Sequence, residues 1–220
     1  MIADRATYLR DLVGQLNLHW PQNRTVNVVC HGHSVPSGYF ATPMVDTFNA
    51  YPHLLHRGLK ARFPFAVINV VVTAIGGESS PSGAERFERD VLCHRPDVVT
   101  IDYGLNDRRA GLEAAAAAWG SMIEAAQARG ARVILLTPTP DASGLATASA
   151  EPWRQLVCHT AQIRSLAVAH GVGLADSFAA FQRYTDAGGD LTDLLSWTNH
   201  PSRAGHELVA KELMRWFSIR

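Results

Sequence analysis

The chain has 220 residues, a length that suits one domain and allows a single core burying roughly 70% of the unfolded surface. Lys plus Arg and Asp plus Glu balance at 20 each, so the formal charge is zero and the basic footprint that a nucleic-acid backbone demands is missing. The three cysteines, Cys30, Cys93 and Cys158, form neither a CxxC pair nor an even-numbered framework, which excludes a disulfide scaffold and points to a reducing, cytoplasmic setting.

In chain order, MIADRATYLRDLVGQL lacks the uninterrupted apolar stretch of a secretory signal and reads as a helix of the mature fold. VNVVC (26–30) predicts a first strand, and residues 35–44, rich in Pro and Gly, a loop over its end. AVINVVVTAI (66–75) predicts a second strand, SGAERFERDVLCH (82–94) a helix, DVVTIDYG (97–104) a third strand and LEAAAAAWGSMIEAAQARG (112–130) a helix. RVILLTP (132–138), then WRQLVCHTAQIRSLAVAHG (153–171), a weaker strand GLADSF (173–178) and a last helix from SRAGHELVAKELMRWF continue the alternation. No run approaches the roughly 20 apolar residues of a membrane span, so no membrane association is expected. Strands nearly continuous in apolar character, alternating with helices, predict a parallel sheet covered on both faces: one α/β domain over 1–220, three-layered and doubly wound. Ligands of such sheets sit at the carboxyl ends of the strands.

Polar turns follow several of these strands. His31-Gly32-His33-Ser34 follows the first, where Gly32 permits a sharp bend that projects the Ser34 hydroxyl above the sheet edge; a loop or helix-capping serine is the plainer reading. Ile75-Gly76-Gly77-Glu78-Ser79 ends the second, and a bare Gly77 lets a backbone N–H approach a ligand or simply makes a turn. Gly104-Leu105-Asn106-Asp107 ends the third, with the two N–H donors of the Asn106 amide at the same edge. Asn199-His200-Pro201 precedes the last helix, and the proline fixes the backbone that aims His200, a residue type whose ordinary pKa suits a general base.

Taken together, GHS with Ser34, IGGES with Gly77, GLND with Asn106 and NHP with His200 resemble, in order and position across nearly the whole chain, the SGNH or GDSL-type hydrolases. TPTP (137–140) resembles the family's fourth turn. GLND and the final HP are the specific blocks. The resemblance implies a flavodoxin-like five-stranded parallel sheet of order 2-1-3-4-5 and a serine esterase or acyl hydrolase. Ser34 would attack an acyl carbonyl and His200 would take its proton, while Gly77 N–H, the Asn106 side chain and Ser34 N–H hold the oxyanion. It implies no metal and no organic cofactor. The expected partner is a small or carbohydrate-linked ester.

Two positions depart from the family pattern. His33 stands where an acidic residue usually precedes the serine, and Trp197 stands three residues before His200, where the family's DxxH block has its aspartate. A backbone carbonyl of 196–198 is the expected orienting group, giving a Ser-His dyad; Asp193 looping back, or an effect of His33 or Glu78, are the alternatives. A binding protein on a hydrolase scaffold is the competing function, and a metal shared by His31 and His33 a third reading. Arg108 and Arg109 either face an anionic substrate group or are solvated charges at a helix start. Tyr39, Phe40 and Trp197 are candidates for an apolar or sugar-stacking wall, and His206 and Glu207 are expected at the surface or between helices.

Overall fold

A computed structural model describes residues 1–145 and 150–218. The strands β1 (Thr25–Gly32), β2 (Val67–Val72), β3 (Val98–Asp102), β4 (Arg132–Leu136) and β5 (Gly173–Ala175) are parallel and lie in the order β2-β1-β3-β4-β5, the expected doubly wound sheet. The helices are α1 (Arg10–Leu16), α2 (Ser34–Ser37), α3 (Tyr51–Arg62), α4 (Ser80–Glu85), α5 (Phe87–Asp90), α6 (Leu112–Ala128), α7 (Glu151–His170), α8 (Ser177–Asp186) and α9 (Arg203–Met214).

Side chains alternate across the strands and build a core on each face. Val26, Val28, Cys30, Val98, Ile134 and Leu136 face α1, α3, α8 and α9. Val29, Val99, Ile101, Val133 and Leu135 face α5, α6 and α7, with Trp119 and Met122 wholly buried there. Truncating one such buried aliphatic side chain to alanine costs about 2–5 kcal/mol, so the sheet ends are carried on a stiff platform. Among the described residues no helix is long and apolar enough to cross a membrane.

Several boundaries differ from expectation. β2 stops at Val72, although Thr73 and Ile75 N–H still donate to the Cys30 and Gly32 carbonyls at 3.0 Å each. β5 stops at Ala175 because the Asp176 side chain accepts Ala179 N–H and starts α8, whose first two residues fall in the predicted strand 173–178. The segment 82–94 breaks into α4, α5 and a 3-10 turn rather than forming one helix. At the amino end only residues 10–16 are helical. The 51–62 segment was not assigned a helix, yet Tyr51, Leu55 and Leu59 recur one turn apart and bury one face of α3. Of the two places expected for His206 the structure gives the one between helices: it is fully buried between α9 and α3, accepts Tyr51 N–H at Nδ1, and burial pushes its pKa down to about 3. Glu207 is exposed and pairs with Arg203.

Candidate active site

β1 and β3 converge at Gly32, where a Cβ would lie 2.3 Å from the Asp102 carbonyl oxygen and 2.8 Å from Pro36; glycine is required. The chain then turns into α2. His33 donates its backbone N–H to the Asp102 carbonyl at 3.2 Å and its Nδ1 accepts Val35 N–H at 3.2 Å, so a histidine does the capping work usual for Ser or Asp. Ser34 is therefore the first helical residue and not the cap, and Gly38 at φ +92° closes the turn of helix. The Ser34 side chain is 6% exposed at the sheet edge.

His200 reaches this turn from the other end of the chain. The Leu195–Pro201 antiparallel bridge and the Ser196 N–H to His200 carbonyl bond of 3.0 Å make 195–201 a tight hairpin that fixes the ring's backbone. Its Nε2 lies 2.9 Å from Ser34 Oγ, and its Nδ1 lies 2.7 Å from the Phe40 carbonyl oxygen. A carbonyl only accepts, which places the proton on Nδ1 and leaves the Nε2 lone pair facing the serine hydroxyl. The orienting group is thus a backbone carbonyl, as preferred from sequence, but from Phe40 in the 39–45 loop instead of 196–198. Asp193 does not approach His200; its carboxylate accepts Tyr184 O–H at 2.9 Å and Asp190 N–H at 3.3 Å within a capping box. Burial is the largest influence on His200 and lowers its pKa; the Phe40 bond raises it and neighbouring His33 lowers it further.

Besides Ser34 N–H, the candidate donors named from sequence lie on the loops that follow β2 and β3, the two neighbours of β1 in the sheet. Ile75 N–H bonds the Gly32 carbonyl, which ties the Gly76-Gly77 turn to the end of β1. Gly76 lies under the Tyr39 ring, where a Cβ would come within 2.9 Å of Cε2, and that ring is 6.0 Å from the His200 ring. Gly77 adopts φ +81°, open to glycine, and neither its N–H nor that of Ser34 has a partner among the described residues. The Asn106 Nδ2 donates one hydrogen to the Glu78 carbonyl at 2.9 Å, leaving the other free. Asp107 holds the GLND turn, accepting Ser80 N–H and Trp119 Nε1–H at 2.7 Å each. A serine hydroxyl in contact with a neutral imidazole, and amide N–H groups on the loops after the two flanking strands, are the kinds of groups that acyl transfer to a serine needs.

Other predicted positions sort differently. Arg108 is neither a solvated charge nor free for substrate: it bonds Asp141 at 2.7 Å and the Leu105 and Pro152 carbonyls. Arg109 is exposed. Phe40 is buried against His206, 5.0 Å between rings, so only Tyr39 and the 63%-exposed Trp197 remain available as wall residues. Both ring nitrogens of His31 are taken, Nδ1 by Thr73 Oγ1 and Nε2 by the Tyr103 hydroxyl oxygen and the Gly83 carbonyl, while His33 is committed to Val35 with its Nε2 3.5 Å from Asp102; the pair does not share a vacant ligand set. The TPTP turn is structural at Thr137, whose Oγ1 bridges Asp176 and Phe178 N–H. Sequence reasoning missed the Phe40 carbonyl, since main-chain acceptors carry no residue signature.

No curated protein sequence matches the chain. Solved structures do: the acetylxylan esterase Axe2 from Geobacillus stearothermophilus is 22% identical with a TM-score of 0.76, covering 89% of this chain and 95% of that one. LAE5, described as an alpha/beta hydrolase enzyme from the metagenome of Lake Arreo, Spain, is also 22% identical, with a TM-score of 0.75 over 87% of this chain and 94% of its own. At that identity the likeness is one of fold. The sequence profile of the GDSL-like lipase/acylhydrolase family matches residues 30–208, a span that holds Ser34, Gly77, Asn106 and His200; the chain therefore belongs to that family of carboxylic ester hydrolases.

Proposed function

We propose that the chain cleaves small or carbohydrate-linked esters through an acyl-Ser34 intermediate, with His200 as general base in a Ser-His dyad. His200 Nε2 takes the Ser34 proton as Oγ bonds the acyl carbon; the oxygen that becomes negative is held by the N–H groups of Ser34 and Gly77 and by Asn106 Nδ2. His200 then gives its proton to the departing alkoxide. Water enters, loses a proton to His200 and attacks the acyl carbon, and the proton returns to Ser34 as the acid leaves. The 2.9 Å contact between Ser34 Oγ and an Nε2 whose partner nitrogen is already committed carries this reading.

A carbohydrate alcohol as leaving group draws support from a cleft of about 270 Å³ beside the His200 hairpin, where Trp197 and Leu145 offer apolar faces and Thr192, Ser196 and Thr198 lie alongside with hydroxyls. The acetylxylan ester cleaved by the similarly folded Axe2 is of the same chemical class. Turnover of p-nitrophenyl acetate by the wild type, and its fall by about 10⁴ or more in Ser34→Ala, is the expected result. Equal rates for the two proteins would dismiss the nucleophile, and failure of Ser34 to capture a fluorophosphonate would leave a binding protein instead.

A further inference from the structure

Behind the donor loop lies a buried polar hub that the dyad does not touch. Arg86 meets the Glu78 carboxylate with both ends of its fork, Nε to Oε1 at 2.7 Å and Nη2 to Oε2, each side chain about 9% exposed. Tyr103 O–H donates to Glu78 Oε2 at 2.7 Å and lies 3.0 Å from His31 Nε2. His31 Nδ1 in turn meets Thr73 Oγ1 at 2.9 Å. The hub thus grips the 73–79 loop at both ends, Thr73 through His31 and Glu78 through Arg86 and Tyr103. Gly83 fits only because it has no side chain, since a Cβ there would lie 2.3 Å from the Tyr103 hydroxyl. Burial alone would raise the Glu78 pKa, but the arginine and tyrosine bonds outweigh it and hold the carboxyl below its ordinary value. His31, pushed down to about 4 by burial and by Arg86, stays neutral in this company.

The same residue holds the other donor, because the Glu78 carbonyl accepts one Asn106 Nδ2 hydrogen and so sets the plane in which the second points. We propose that Glu78 is the positioning residue of the oxyanion hole: its clamped carboxylate fixes the loop that carries Gly77 N–H, and its carbonyl aims the Asn106 amide. This rests on the acyl-Ser34 reading. Donors held in place before reaction need no reorganisation as the negative charge forms, and a misplacement of about 1 Å costs up to 10²-fold.

Full-length Glu78→Gln and Tyr103→Phe, checked for folding by circular dichroism, test it against wild type with p-nitrophenyl acetate and with a trifluoromethyl ketone, whose tetrahedral adduct puts an oxyanion in the hole. For Glu78→Gln kcat is expected to fall about 10- to 100-fold with KM within about twofold, ketone inhibition to weaken by a similar factor, and the acid limb of the pH profile to keep its midpoint. Tyr103→Phe, which removes one oxygen, is expected to shift kcat and ketone inhibition together by about 3- to 10-fold; if Glu78→Gln does not fold, this variant decides. Wild-type kcat in the decisive variant, or a loss that moves KM or the pH midpoint and spares ketone inhibition, overturns the positioning role while leaving the acyl-Ser34 reading intact. A wild type without Ser34-dependent turnover overturns both.

Discussion

On the base side of Ser34, His200 Nδ1 meets one neutral acceptor, the Phe40 carbonyl. On the donor side an arginine fork and a tyrosine hydroxyl converge on Glu78, with His31 behind the tyrosine. A neutral hydrogen bond contributes about 0.5–1.5 kcal/mol, whereas removing one partner of a buried ion pair costs about 3–5 kcal/mol. Fixed charge is therefore concentrated under the loop where an oxyanion would form and withheld from the imidazole. A carboxylate at Nδ1 would raise the pKa of His200; a carbonyl lets burial keep it low, so the base stays neutral and ready further into acid. In the proposed mechanism the two halves answer different needs, a base still unprotonated at mildly acid pH and donors that do not move when charge develops.

Removing a donor breaks the comparison most severely. Asn106→Ala deletes a hydrogen-bond donor and leaves the Glu78 carbonyl without its partner, and is expected to lower kcat by about 10² to 10³ with little change in KM for p-nitrophenyl acetate. A larger effect on KM than on kcat in steady-state kinetics would mean that Asn106 binds substrate in its ground state instead.

How the two halves were visible in the sequence differs in the same way. The parallel sheet and the four turns were legible because β-branched runs, glycine turns and the GLND and NHP blocks are local features that side chains announce, whereas the strand order came only through the family resemblance of those blocks. Ser34 and His200 could be matched across 166 positions only through the order of those blocks. The orienter was not legible: Phe40 acts through its main chain, and the contact depends on how the 39–45 loop folds over the edge, with Phe40 N–H bonded to the Met44 carbonyl. α8 was hidden for a related reason, since Asp176 ends a short strand and caps a helix at once, and the apolar Leu174, Ala175 and Phe178 around it read as one run. Glu78 was legible only as an alternative influence on His200, because Arg86 lies eight residues on and Tyr103 twenty-five, meeting it only after β1 and β3 have paired.

The pH profile sharpens the comparison by reading the base side alone. Because the folded-state pKa of His200 is lowered from 6.5, kcat/KM is expected to rise with pH, about tenfold per unit in acid, and to level off with a midpoint below 6.5. His33, which adjoins Ser34 and lowers His200 when protonated, acts in the same direction. A midpoint above 6.5 would require a carboxylate to support the imidazolium and would erase the contrast between the halves.

The smallest effect is expected where an acid lies nearest in sequence. Asp193 is seven residues from His200, yet its carboxylate spends its acceptors on Tyr184 O–H and Asp190 N–H, while the hairpin that aims His200 is closed by main-chain bonds from Ser196 and Ser202. The Asp193 carbonyl also accepts Ser202 Oγ–H, a bond that replacing the side chain leaves in place. Asp193→Asn keeps the shape and one acceptor, and loses a charge at an exposed turn where such interactions contribute about 1 kcal/mol or less. Its kcat/KM is accordingly expected to stay within about threefold of wild type, with melting only slightly lowered, while His200→Ala loses activity on the scale of Ser34→Ala. If Asp193→Asn were as inactive as His200→Ala, the loop would have to rearrange during turnover to bring that carboxylate to Nδ1. The Phe40 carbonyl would then be only the resting-state partner of a triad assembled on demand.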